Sequence, residues 1–110
     1  MNASSQSISA GSGAAEAAQA CAALLALVEE RRGRGLDLPS LLTLRHLSRT
    51  CSWSCGRPVC LSRSIALEAC AEELYVQGSD ASAEQIAALE RRMLKLLGEI
   101  KFCLGRGAAA

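Results

Sequence analysis

The chain has one histidine, His46, in the run LLTLRHLSRTCSWSCGRP. Arg49 and Thr50 follow three and four positions later, so on a helix all three side chains share a face. An imidazole near neutral pH is a nucleophile without needing an unusual pKa. A phosphoryl group placed on it needs a neighbouring cation, which Arg49 supplies, and small neighbours so that a partner's carboxylate can approach. A solvent-exposed histidine with no role is the competing account, and these three residues alone do not exclude it.

The six cysteines, Cys21, Cys51, Cys55, Cys60, Cys70 and Cys103, form the second chemically capable set. Cys51, Cys55 and Cys60, with His46, offer four zinc ligands around one helix–helix turn. Their C-x3-C and C-x4-C spacing lacks the C-x2-C knuckle of common zinc sites. Cys60 and Cys70 make a single C-x9-C, whereas twin-cysteine helical hairpins need two such pairs. Cysteine also packs as a small hydrophobe, and core packing accounts for these residues better than metal or disulfides. Trp53, the sole tryptophan, lies on a face similar to that of His46. There it either covers the end of the fold or, if exposed, anchors a protein partner.

These residues must be positioned by helices. Half of the residues are hydrophobic but only 3% are aromatic, so the apolar mass is Ala and Leu, which suits close helix packing better than a sheet. At 110 residues one domain is expected. Met1 to Gly13 reads as a disordered Ser/Gly leader, residues 14–104 as the domain and 105–110 as a flexible tail. The first helix runs from about Ala14 to Arg32, with Leu24, Leu25, Leu27 and Val28 as apolar surface, Arg31 and Arg32 in its last turn, and Gly33 or Gly35 as the stop. Asp37 caps a second helix with Pro39 in its first turn; Leu41, Leu44, Ser48 and Cys51 form its inward stripe, and Gly56 ends it. Pro58 opens a third helix, with Cys60, Leu67, Cys70, Ala71 and Leu74 inward, that stops at Gly78. The fourth opens with a Ser82/Gln85 capping box and continues through Ile86, Leu89, Met93, Leu96, Ile100 and Cys103. Four helices with short connections predict an all-α antiparallel four-helix bundle.

Composition also narrows the function classes. Twelve basic residues stand against 11 acidic ones, and nothing concentrates the positive charge into a nucleic-acid footprint. The RRGRG run at 31–35 reads as a solvated helix end. The longest apolar stretch, around residues 20–28, is too short to span a membrane. No basic n-region precedes an apolar core, so a cytoplasmic setting with mostly reduced cysteines is expected.

From roughly Ala20 to Leu104 the chain resembles the histidine phosphotransfer (HPt) family. That family shows a histidine, a basic residue three later, small residues after it, a glycine about ten later, and often Leu-Glu in the next helix. Here these are His46, Arg49, the run Thr50, Cys51 and Ser52, then Gly56, and Leu67-Glu68. The departures are Ser48 where the family prefers Leu, Thr50 where it prefers Gly, and Arg57 where it usually has Ala. The resemblance implies that His46 accepts phosphate from one receiver domain and returns it to another in a two-component phosphorelay. It also implies that Arg49 steadies the phosphoryl oxygens, Thr50 lines the docking face, and Gly56 makes the turn. The partner, a response regulator or hybrid sensor kinase, would supply the Mg2+ and the aspartate. The chain itself would bind no cofactor and act as a phosphocarrier rather than a free-standing enzyme. Two other readings remain open: a non-catalytic helical adaptor or chaperone subunit docking through Trp53, and a zinc-stabilised helical domain.

Overall fold

Local hydrogen-bonding signals set most of the helix boundaries. The computed structural model describes the backbone of residues 3–109 and the side chains of residues 15–78 and 80–105. It contains α1 (Ala3–Glu30), α2 (Leu38–Cys55), α3 (Pro58–Gln77) and α4 (Ala83–Ala109), with a short 3-10 turn over Gly78–Asp80. No strand occurs among the described residues. Asp37 caps α2, its carboxylate accepting from the Ser40 amide at 2.9 Å. Hydrogen bonds from the Ser40 side chain and amide hold Asp37 below its ordinary pKa. Gly56 ends α2 in the left-handed conformation at φ 70°, its amide donating to the Ser52 carbonyl. The capping box before α4 is reciprocal. The Ser82 amide donates to Gln85 Oε1 at 2.8 Å and the Gln85 amide to Ser82 Oγ at 3.1 Å.

Three boundaries differ from the sequence expectation. α1 ends at Glu30, so Arg31 and Arg32 fall in the turn beyond it, where Arg31 Nε donates to the Gly35 carbonyl at 3.1 Å. α1 also begins at Ala3 and α4 runs to Ala109, so both helices extend into the segments expected as leader (1–13) and tail (105–110). Neither segment contains a proline, the one residue that would force a break. Residues 1, 2 and 110, and the side chains of 1–14, 79 and 106–110, lie outside the described set.

The helices pack in a ring in which α1 meets α2 and α4, and α3 meets the same two. The arrangement is the expected antiparallel bundle. Leu24, Leu44, Leu67, Leu74, Met93 and Ile100 are fully buried at its centre. Every residue of the expected inward stripes of α2 and α3 is buried. The α1–α2 connection is pinned to α4, where the buried Glu90 carboxylate accepts the Gly33 amide at 2.6 Å.

Ser48 and Ser64 face each other across the α2–α3 contact. Both are buried where α2 crosses α3. Ser64 Oγ donates to the Ser48 carbonyl at 3.3 Å, and Ser48 Oγ lies 3.5 Å from the Ser64 carbonyl. Small side chains let the two backbones approach, and a leucine at 48 would have to be accommodated against α3. The Ser48→Leu variant is therefore expected to lose about 1–3 kcal/mol through overpacking. Ser48→Ala should lose no more than about 1 kcal/mol. Urea denaturation of the two variants measures the difference.

Candidate functional site

The outward face of α2 carries the histidine. Leu41, Leu44, Ser48 and Cys51 point inward, so His46 and Arg49 lie exposed and Thr50 half-buried. Leu42 and Trp53 extend the same outward stripe at helical spacing. They expose 52% and 85% of their surface, which places a large apolar side chain on either side of the imidazole. Trp53 therefore does not cover the end of the bundle.

The polar neighbours are already engaged. Arg49 Nη2 lies 3.5 Å from Glu68 Oε1 on α3, and Arg45 Nη2 lies 3.3 Å from Glu72 Oε2 one turn away. Exposed pairs of this kind contribute about 0.2–1 kcal/mol. Thr50 Oγ1 donates to the His46 carbonyl at 3.0 Å, so its hydroxyl is turned back onto the helix.

The zinc set inferred from sequence does not assemble. His46 lies on the outer face, about 13 Å along the helix axis from Cys55. Cys51 is fully buried in the core, where its Sγ lies 3.7 Å from the Ala17 carbonyl. Burial, and secondarily Cys21, pushes the Cys51 thiol up to about 11. Burial likewise raises Cys21. Only Cys55 and Cys60 of the expected set come together, joined as a disulfide across the α2–α3 turn. Their third neighbour is Cys103 of α4, whose Sγ lies 3.5 Å from Cys55 Sγ. Cys21, Cys51, Cys70 and Cys103 are free and buried.

Sequence reasoning placed Cys103 on the core stripe and missed this convergence. The signal was present in the topology. In an up-down-up-down bundle the end of α4 returns to the level of the α2–α3 turn, which carries Cys55 and Cys60. Leu42 was missed as well, although its spacing of four from His46 places it on the same stripe.

No helix among the described residues is long and apolar enough to cross a membrane. No family model, curated protein or solved structure matches the chain.

The Cys51 environment has a pH consequence. Its folded-state pKa of about 11 lies above the ordinary 9.0, so the folded state favours the neutral thiol. That contribution is complete below pH 9.0 and is lost as pH rises through about 11. Stability should fall over this alkaline window, and Cys51→Ala should flatten the fall. Denaturation at neutral and alkaline pH checks the slope.

Proposed function

We propose that the chain is a histidine phosphocarrier that relays a phosphoryl group between receiver domains. The observation that carries this reading is the exposed His46 in the middle of α2. Arg49 lies one turn on, and the apolar Leu42 and Trp53 flank it along the same stripe. In the forward step a ring nitrogen of His46 attacks the phosphorus of an aspartyl phosphate on the partner. The P–N bond forms, the P–O bond to the aspartyl carboxylate breaks, and the imidazole gives up its proton. Arg49 leaves Glu68 and meets the phosphoryl oxygens. Leu42 and Trp53 give the receiver an apolar rim to dock on, while Mg2+ and the aspartate belong to the receiver. The back-bonded Thr50 hydroxyl leaves this residue lining the docking face without contacting phosphate. Signalling of this kind places the protein in the cytoplasm, where receiver domains operate.

Incubation with a phosphorylated receiver domain should yield an acid-labile phosphohistidine that is absent in His46→Gln at unchanged helicity. Arg49→Ala should slow labelling about ten- to hundred-fold, as expected for one lost charge-assisted hydrogen bond. Labelling that persists in His46→Gln would refute the assignment.

The exposure of Trp53 also favours a second reading, a non-catalytic adaptor that docks a protein partner through this stripe. Docking through Trp53 is common to both readings, and the phosphohistidine label separates them, since the adaptor gives none. Adaptor binding should survive His46→Ala and be lost in Trp53→Ala, by about 2 kcal/mol or more if the indole is the anchor. Titration calorimetry with the receiver or other partner reads this directly.

A further inference from the structure

The three sulfurs at the end of the bundle stand apart from the His46 face and call for a chemistry of their own. Cys55 closes α2, Cys60 lies in the first turn of α3, and Cys103 comes from the distal part of α4. Their Sγ atoms all lie within 4.8 Å of one another, and they are the one group of potential metal ligands so arranged among the described residues. We propose that the reduced protein binds a single thiophilic d10 ion, with Zn2+ as the working probe, through the thiolates of Cys55, Cys60 and Cys103.

Dimensions support this. Metal–sulfur bonds of about 2.3 Å directed tetrahedrally separate the sulfurs by about 3.8 Å. The cluster is already on that scale, with Cys103 3.5 Å from Cys55, so side-chain rotation suffices to seat an ion. The donor set is sulfur alone, which selects soft or borderline ions over Mg2+ and Ca2+. With no fourth protein ligand in the group, one position is left to water or an exogenous donor.

The electrostatics point the same way independently. Three thiolates around a divalent ion carry a net single negative charge. Arg57, Arg63 and Lys95 line the same pocket as Cys103 and supply compensating positive charge, although Arg63 also pairs with Glu99. Cys60 stands in the first turn of α3, where unpaired backbone amides favour a thiolate. Cys55 in turn lines a groove of about 830 Å³ between α1 and α4, which gives an ion a route to the sulfurs.

The Cys55–Cys60 disulfide makes the site redox-gated, because bonded sulfurs cannot serve as thiolate ligands. A dithiol reductant opens it by exchange: its two thiols become a disulfide, and Cys55 and Cys60 each gain a proton. Binding then releases three protons as M2+ joins the three thiols, so affinity falls as pH falls.

The test uses the full chain under anaerobic conditions with a phosphine reductant. Zn2+ is titrated against a competing chromophoric chelator, and Cd2+ is used to read the thiolate charge-transfer band. The reduced protein should take about one ion per chain with three thiolate bonds. Cys103→Ser and the half-buried Cys55→Ser should each lose binding at least about tenfold at unchanged helicity. Cys70→Ala, in the core outside the cluster, should bind as wild type. The oxidised protein should bind none. Absence of stoichiometric binding by the reduced protein overturns the proposal. So does equal binding by the oxidised protein, or a loss in Cys70→Ala as large as in Cys103→Ser. None of these outcomes depends on phosphotransfer at His46.

Discussion

Burial of Leu41, Leu44, Ser48 and Cys51 sets the rotational phase of α2, and the placement of both His46 at its middle and Cys55 at its end follows from that phase. Each residue advances about 100° around a helix, so His46 lies about 200° from Leu44 and must face outward. The same rotation carries Leu42, Arg49 and Trp53 onto the outer stripe. It returns Cys55 to the inner side in the last turn, against α3 and α4. A helix turned by half a circle would expose Ser48 and bring the imidazole toward the core. The reciprocal contacts between Ser48 and Ser64 hold the phase by keeping the α2 and α3 backbones close.

That phase also frames the outer face electrostatically. Two ion pairs bridge α2 and α3, Arg45 with Glu72 and Arg49 with Glu68, one turn apart beside His46. Both bridges are exposed and individually weak, so they position the guanidinium groups without locking them. Glu68 is the more buried member of its pair, with 19% of its side chain exposed against 65% for Arg49. The carboxylate is therefore the more anchored partner of that bridge.

Features that depend on residues three or four apart were legible in the sequence. The Asp37 cap, the Ser82/Gln85 box, the Gly56 stop and the apolar stripes are of this kind, since hydrogen-bond reach and helical period link them locally. Features joining distant residues were not. Ser64 was not singled out as a core residue, because its partner Ser48 is on another helix. Glu90 lies on the polar margin of the α4 stripe, and nothing local says that it receives the Gly33 amide. The cysteines show the same limit: core packing was the preferred account and holds for Cys51, but the zinc alternative grouped Cys51 with Cys55 and Cys60, whereas topology brings Cys103 to them instead. The outward placement of His46 was legible because it depends only on the local stripe.

The two possible linkages within the sulfur cluster differ in what they can do to the bundle. The Cys55–Cys60 bond spans a sequence separation of 5 across a turn that Gly56 and Pro58 already constrain. Closing so short a loop removes little additional chain entropy from the unfolded state. Cys103 is 48 residues from Cys55, and any link through it joins α4 to the α2–α3 turn. An ion held by all three sulfurs would therefore act as a long-range tie among three helices, and the disulfide only as a local one. Reduction exchanges a cross-link that contributes little to the bundle for a site able to draw its end together.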